Sequence, residues 1–451
     1  MLTLALNSLR RRSGGFAASF LAMFCGAMIL MAFGSLLDTA GAKGVDPAGE
    51  STLNVLGLVV GGWGLLLVTF AVTSTLTLSV RQRAAEMALL KNIGATPGQI
   101  TRMITGEALI LAVAAVSLAI VPAAYTGGWL LDRLTANGQI ATSITHHFGG
   151  FAIHIGYGVT LVAATAAALT AARRTARMSA TASLLDAAGD ARMSRKRVAA
   201  AAVFLFLGTD LAVITATAMR GKDDFEPMAT AGPAAIWFSI GLALLAPALL
   251  RRVTAWLEGP LQRRGAAGQL AALNLAQRTG PMSTAVMPII LFTGIATGTL
   301  YMQATDNAVN AASGITETAD YRNAETTNMI VIGMILLFAA IMVVNSLVAT
   351  TVDRRREFGQ QRLIGATPRQ VLQMVAGEGT VLAATGVLFG TLASLVTIIP
   401  FSIARSGSPV PHGSVLLYLA VAAIAAALAL ATSLAAAHRT LRTPAIDAAT
   451  T

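Results

Sequence analysis

The chain has 451 residues, of which 55% are apolar and 12% charged, whereas soluble domains carry about 25% charged residues. This composition argues against a soluble globular domain and indicates a membrane protein. The net charge of +11 does not indicate nucleic-acid binding, because the arginines adjoin apolar stretches rather than aromatic residues. The single cysteine, Cys25, excludes an intrachain disulfide and a cysteine-pair metal site.

Ten stretches of the sequence are apolar over about 20 residues, which is the length that crosses a bilayer as a helix. We number them spans 1 to 10, and they lie at residues 16–37, 54–80, 106–131, 151–172, 198–219, 232–250, 284–303, 327–351, 378–404 and 415–437. Span 1 follows three arginines, as a signal peptide does, but it is longer than the usual apolar region of one. We therefore expect all ten spans to be retained in an all-α polytopic membrane protein.

The positive charges are distributed unequally between the two sides. With the N-terminus in the cytoplasm, only six of the 32 Lys and Arg residues fall outside, namely Lys43, Arg133, Arg220, Lys222, Arg322 and Arg405. Cytoplasmic loops of membrane proteins are enriched in Lys and Arg. The distribution therefore predicts that both termini are cytoplasmic.

An internal repeat organises the chain. Residues 83–112 align with 354–383 without a gap, and weaker matches place Asn7 and Arg11 opposite Asn274 and Arg278. Each copy contains four spans and begins and ends on the same side, so the two copies have parallel topology. We predict a first four-helix unit at 1–188, a linker with a two-helix hairpin at 189–267, and a second four-helix unit at 268–451.

The best-preserved part of the repeat is a short turn between two helices. Gly94-Ala95-Thr96-Pro97-Gly98-Gln99 recurs as Gly365-Ala366-Thr367-Pro368-Arg369-Gln370. Glycine suits a helix C-terminus with positive φ, threonine an N-cap, proline the first helical position, and glutamine the third residue of a capping box. We call residues 93–99 elbow 1 and residues 364–370 elbow 2, and we predict that each is stiff.

A charged pair precedes each elbow at i,i+3 spacing, Arg83 with Glu86 and Arg354 with Glu357. Such a pair forms a local ion pair on a solvated helix, or it supplies charges that dock a partner protein. The occurrence of the same pair in both copies favours docking. The length of span 2 also predicts a helix that extends into the cytoplasm as a lever.

These features together resemble the FtsX-like permease family, whose members carry an R-x-x-E…(I/L)-G-A-(T/S) element after their second span. The four, two and four arrangement of the spans resembles double-domain permeases of bacterial ABC transporters. The resemblance implies a multi-pass protein of the bacterial plasma membrane that works with a separate ABC-type ATPase dimer, binds no cofactor itself and is not an enzyme. It also implies coupling loops at 81–105 and 352–377, in which the following residues contact or position the ATPase: Arg83, Glu86, Gly94, Ala95, Thr96, Pro97, Arg354, Glu357, Gly365, Ala366, Thr367 and Pro368.

The outer segments bear on the substrate. Several members of this family have a large extracytoplasmic domain, whereas the longest outer segment predicted here is 304–326. We therefore expect a small amphipathic substrate such as a lipid, peptide or drug, handled within the membrane. Two alternatives are a mechanotransmitter or sensor that uses the same ATPase without translocation, and an ion-coupled secondary transporter.

Other candidate motifs are weaker. The sequence contains no P-loop, since the only Gly-Lys pair is Gly221-Lys222 and Asp223 follows it. Asp210 is the one acidic residue well inside a predicted span, so it is either a possible intramembrane polar site or a structural residue. Glu107 and Glu378 recur at the starts of spans 3 and 9, where we interpret them as structural residues that interact with nearby arginines rather than as groups for transport chemistry. We interpret the histidines at 146, 147 and 154 as interfacial residues rather than a metal site.

Overall fold

The computed structural model describes residues 13–82, 87, 89–90, 92–136, 138–177, 193–222, 226–313, 319–352 and 354–450. The described residues form α-helices and no strands. The helices are α1 (Ser13–Ala40), α2 (Pro47–Val55), α3 (Gly61–Gln82), α4 (Pro97–Ala136), α5 (Gly150–Arg177), α6 (Arg195–Thr217), α7 (Glu226–Leu244), α8 (Ala246–Gln262), α9 (Gly265–Gln277), α10 (Thr279–Ala312), α11 (Ala319–Val352), α12 (Arg355–Leu363), α13 (Pro368–Ser406), α14 (Val415–Leu441) and α15 (Ala445–Thr450). A π-helical turn at Leu56–Val60 joins α2 to α3.

The prediction of ten membrane spans is confirmed. Ten segments among the described residues are long and apolar enough to cross a bilayer, and each overlaps one predicted span. They lie in α1, in α2 with α3, and in α4, α5, α6, α7, α10, α11, α13 and α14. Helices satisfy every backbone hydrogen bond within one segment, which is why an apolar sequence in lipid adopts them.

The chain divides into two compact units, and the boundaries between them fall after Ser183, inside α10 after Asn310 and inside α11 after Phe338. Unit 1 comprises Met1–Ser183 and Ala311–Phe338, and unit 2 comprises Leu184–Asn310 and Ala339–Thr451. The hairpin helices α6 and α7 are therefore grouped with the second repeat. The three segments predicted from the sequence remain a prediction.

Unit 1 is built around α1, which packs against α3, α4 and α5. Its core contains small and flexible side chains, including Ala27 and Met31 on α1 and Ala119 on α4. Gly57 and Gly61 face Leu37 and Phe33 of α1, so small residues let these helices pack closely.

Unit 2 is centred on α13, which packs against α7 and α14 and also against the short helices α8 and α9. The helices α10 and α13 cross in backbone contact at Gly294 and Gly390. An added Cβ on Gly390 would stand 3.0 Å from the nitrogen of Gly294. Only glycine allows helices to approach this closely, so the crossing depends on these two residues.

The two helices that begin at the elbows are much longer than the predicted spans. The helix α4 has 40 residues and α13 has 39, which corresponds to about 60 Å at 1.5 Å per residue. The hydrocarbon core of a bilayer is about 30 Å thick. Each elbow is therefore joined without a break to a helix that passes through the whole span.

The outer segments are more ordered than the sequence suggested. Residues 304–312 of the predicted outer segment 304–326 continue α10, and residues 319–326 begin α11. In unit 1, the carboxylate of Asp38 accepts hydrogen bonds from the backbone of Gly149 and Ala152 at the start of α5. In unit 2, Thr305 accepts from the backbone of His412. In both repeats, the segment before the last span is therefore bonded to the helix of the first span, α1 or α10.

Candidate coupling site

Both elbows have the backbone geometry that their sequences predict. Gly94 and Gly365 have φ values of 97° and 106°, which glycine adopts without strain. The next residue in each elbow donates a hydrogen bond back into the preceding helix, from Ala95 to the carbonyl of Leu90 and from Ala366 to that of Gln361, both at 2.9 Å. This is the bond that closes a Schellman motif. The first helix of each elbow therefore ends at a fixed point.

The second helix of each elbow begins with the predicted capping box. The backbone N–H of Thr96 donates to the Gln99 side chain at 2.9 Å, and the N–H of Gln99 donates to the Thr96 hydroxyl at 3.3 Å. The corresponding distances between Thr367 and Gln370 are 2.8 and 3.3 Å. Two backbone groups that would otherwise lack partners are satisfied in each copy. Each elbow is consequently fixed on both sides.

The tips of the elbows are exposed in the same pattern in both copies. The glycine, threonine, proline and glutamine are exposed, and the alanine is half-buried. The isoleucine before each glycine was not among the predicted site residues, yet Ile93 and Ile364 are 73% and 86% exposed. A single exposed apolar side chain needs no explanation, but equivalent ones at two elbows suggest a contact surface. The sequence signal that could have identified these two residues is that isoleucine occupies the same position in both copies of the repeat.

A cluster of charged and polar side chains anchors elbow 2 to the rest of unit 2. Its members, which we call the charge cluster, are Asn274, Arg278, Arg354, Glu357 and Glu378. Arg354 donates to both oxygens of Glu357 at 3.0 and 3.1 Å and also donates to both oxygens of Glu378. Asn274 donates to Glu378 at 2.8 Å, and Arg278 pairs with Glu357. The cluster joins α12 to α13 and to the junction of α9 and α10.

The centre of the cluster is shielded from solvent. The side chains of Arg354, Glu357 and Glu378 are 10%, 16% and 3% exposed. Burial alone lowers the pKa of Arg354, but the charges of Glu378 and Glu357 and their hydrogen bonds outweigh it and raise the pKa above its usual value. Arg354 therefore stays charged. Arg354 and Glu357 are therefore not a solvated ion pair. Their burial favours a role in positioning α12. Direct contact of these two residues with a partner protein stays a prediction.

Two further contacts make α12 a point at which several helices meet. Arg362 donates to the carbonyls of Leu441 and Thr443 at 3.1 and 2.8 Å, so a cation lies at the end of α14, where it is favourable to the helix dipole. Phe358 is buried on the same short helix, and Arg354 lies over its ring at 5.1 Å. A displacement of α12 would therefore act on the ends of α10, α13 and α14 together.

The first copy carries the residues of the charge cluster at equivalent positions of the sequence. Arg83 and Glu86 lie outside the described residues, as do Asn7 and Arg11. Glu107, the counterpart of Glu378, is buried to the same extent, with 2% of its surface exposed. Met87, the counterpart of Phe358, is also buried.

The other candidate residues are not part of this site. Asp210 lies on the exposed surface of α6, beside Thr209 and inside a segment apolar enough to span the bilayer. A functional role for Asp210 stays a prediction. His146 contacts the hydroxyl of Ser35 at 3.0 Å, and His154 contacts the carbonyl of Gly150. Among the residues that the structure describes, no three His, Cys, Asp or Glu side chains are grouped for a metal ion.

The comparison with protein families agrees with the repeat and the elbows. The family model described as FtsX-like permease C-terminal matches residues 58–180 and 329–445, which together make up more than half of the chain. The chain belongs to the FtsX-like permease family. Each matched region of this FtsX-like permease contains one elbow, so the internal repeat is confirmed. A search of curated proteins finds no significant match.

Family membership gives the general role of the chain. FtsX-like permeases are non-catalytic membrane subunits of ABC transporters and work with ABC ATPases. The ten apolar helices and the family together indicate a multi-pass membrane permease.

Removing a cap should loosen one elbow without unfolding the chain. Replacing Thr367 with alanine is expected to cost about 0.5–2 kcal/mol locally, so amides in the first turn of α13 should exchange about 2- to 30-fold faster. Thr380→Ala is the control, because Thr380 is an exposed threonine of the same helix whose hydroxyl bonds only along the helix. Hydrogen exchange measured by mass spectrometry checks this, and equal effects of the two changes would show that the capping box is unimportant.

Proposed function

We propose that the chain couples ATP hydrolysis by a separate ATPase dimer to the export or extraction of a small amphipathic molecule. The supporting observation is that the tip of elbow 2 is exposed while its base is bonded to the ends of α10, α13 and α14. A force applied at the tip would reach three spans through one short helix. The matching tip of elbow 1 gives the second half of an ATPase dimer an equivalent site.

Within this proposal, the coupling residues have two different tasks. The exposed residues Ile93 and Ile364 contact the ATPase, and Gly, Thr and Pro of each elbow hold the isoleucine in place. Arg354 and Glu357 transmit the displacement from α12 to α13 and α10 through the charge cluster. Arg83 and Glu86 have the corresponding role in the first copy. The lever is then the unbroken helix α4 or α13 rather than the predicted extension of span 2.

The proposed substrate follows from the small size of the outer segments. The segments at 137–149 and 407–414 are short, and side chains of the first helix in each repeat, α1 or α10, bond to residues within them. They offer little free surface for capturing a protein. A lipid, peptide or drug that partitions into the bilayer needs no such surface.

A reconstitution experiment tests the function. The purified chain alone should not hydrolyse ATP, whereas the chain in proteoliposomes with its ATPase should hydrolyse ATP at a rate that responds to amphipathic compounds. Movement of a fluorescent lipid or peptide that requires ATP would support transport. Stimulated hydrolysis without movement of any tested compound would favour the mechanotransmitter, and hydrolysis by the chain alone would contradict the proposal.

The orientation has its own test. We propose that both elbows and both termini are cytoplasmic, because most Lys and Arg residues adjoin that side. Cysteines introduced at Asn92 and Leu363 should react with an impermeant reagent only after the cells are opened. Cysteines at Ala48 and Val410, which are also exposed, should react in intact cells. Labelling of positions 92 and 363 from opposite sides would exclude the parallel repeat.

A further inference from the structure

The helix α8 has no counterpart among the repeated elements, and it lies beside the ends of two spans. It begins two residues after α7 ends at Leu244, where a candidate span also ends. Its last turn lies beside Gly377 of α13, since an added Cβ there would contact Leu261 at 3.4 Å. Residue 377 directly precedes predicted span 9. The start of α8 therefore lies next to the end of the helix of span 6, which stops at Leu244 rather than at the predicted residue 250, and its last turn lies next to the start of predicted span 9, on the side of elbow 2.

The two faces of α8 differ strongly. Leu250, Val253 and Leu261 are buried where α8 packs on α9 and α13. Away from these residues the helix exposes Trp256, which is 74% accessible. Tryptophan is enriched where proteins meet the lipid headgroups, because its ring is apolar and its N–H is polar. A helix with one polar, basic face and an exposed tryptophan has the composition of interfacial helices.

Two exposed arginines flank this tryptophan on the same face. Arg252 precedes Trp256 by four residues and Arg263 follows it by seven, which is about one and two helical turns. The acidic residue of the helix, Glu258, is two positions from Trp256 and so points away from it, and it accepts a hydrogen bond from Gln262. The face around Trp256 therefore carries positive charge without a carboxylate.

We propose that α8 binds anionic phospholipid headgroups, with Arg252 and Arg263 contacting the phosphates and Trp256 inserted at the headgroup level. An anionic lipid is the occupant that matches both the charge of this face and its position at the end of a span. The proposal is independent of coupling to an ATPase. Each arginine near an anionic surface strengthens binding about fivefold, and added salt weakens it.

Fluorescence of Trp256 in the full chain tests this proposal. The other three tryptophans, Trp63, Trp129 and Trp237, are replaced by phenylalanine, and the protein is placed in nanodiscs of phosphatidylcholine with increasing brominated phosphatidylglycerol. We expect quenching at a low fraction of the brominated lipid. The variant Arg252→Gln with Arg263→Gln should need a higher fraction, about fivefold for each arginine.

The control is Arg251→Gln, because Arg251 is an exposed arginine of α8 that lies about 140° around the helix from Trp256. It should leave the quenching curve unchanged. Equal quenching by brominated phosphatidylcholine would overturn the headgroup preference. Absence of quenching by either lipid, with a change in emission on adding the ATPase, would show that this face binds protein instead. Native mass spectrometry of the chain with all four tryptophans measures retained phosphatidylglycerol independently, and equal retention by the parent and the double variant would also overturn the proposal.

Discussion

Replacing Glu378 with glutamine is expected to destabilise unit 2 by about 3 kcal/mol, the lower end of the range for breaking a buried ion pair. Glu378 is 3% exposed and pairs with Arg354, which is itself buried. The change removes the charge while keeping the shape, so Arg354 loses one of its two carboxylates. We place the loss at the lower end because Glu357 still contacts Arg354. The midpoint of thermal unfolding of the purified chain, with hydrogen exchange in α12, measures the effect.

An exposed ion pair of the same chain provides the control. Lys222 and Glu226 are 2.7 Å apart, and their side chains are 50% and 61% exposed. Removing such a pair by Glu226→Gln should cost about 0–1 kcal/mol. Glu107→Gln should behave like Glu378→Gln, because Glu107 is buried to the same extent. If Glu378→Gln and Glu226→Gln shift the midpoint equally, the charge cluster does not hold α12.

The variant with both Ile93→Asp and Ile364→Asp is expected to lose its ATPase while remaining folded. Both side chains are largely exposed, so a polar replacement costs the fold little. In a complex they would be apolar anchors, and the loss of such an anchor weakens binding by about 30-fold or more. The affinity of the ATPase for the chain in detergent measures the effect, and the unchanged unfolding midpoint confirms folding.

Two variants separate the loss of apolar contact from the added charge. The conservative change of both residues to valine should keep most of the binding. Ile446→Asp adds the same charge at another exposed isoleucine, on the terminal helix α15, and should leave binding near its original strength. Normal affinity of the double aspartate variant would show that the elbow tips do not contact the ATPase.

The role of the chain, the transmission of movement within it and the site of ATPase binding are three separate questions. Membership in the FtsX-like permeases gives the membrane subunit of an ABC transporter. The Glu378 variant tests how displacement passes from α12 to α13, and the isoleucine variant tests where the ATPase binds. A Glu378 variant that transports poorly but binds the ATPase normally would show that transmission of the displacement is distinct from docking.

The spans and the elbows were predictable from the sequence because their causes are local. An apolar stretch of sufficient length forms a helix in lipid whatever packs beside it. Within elbow 2, Gly365, Thr367 and Gln370 lie within six residues, and their backbone conformations and capping bonds depend on one another rather than on distant helices. The repeat strengthened the prediction of the elbows, because the same pattern of Gly, Thr, Pro and Gln occurs in both copies.

The direction in which the charged residues point was decided by the tertiary structure. The i,i+3 spacing of Arg354 and Glu357 predicts their ion pair, but it does not distinguish a solvent-facing pair from one that also bonds Glu378, 24 residues away, and Arg278, 79 residues away. Only the packing of α12 against α13 and the α9–α10 junction buries the pair. Likewise, the sequence places Asp210 inside a span, but only the packing of α6 decides that its side chain lies on the exposed surface of that helix.

The sequence by itself therefore determined the number of spans, the repeat and the stop and start of the helices at each elbow, because these depend on composition and on neighbours in the chain. The tertiary structure decided that α4 and α13 are unbroken through their spans, that Arg354 and Glu357 hold α12 in place, and that Ile93 and Ile364 are left at the tips. Burial is a property of surfaces brought together from distant parts of the chain, and spacing along the sequence does not encode which surfaces meet.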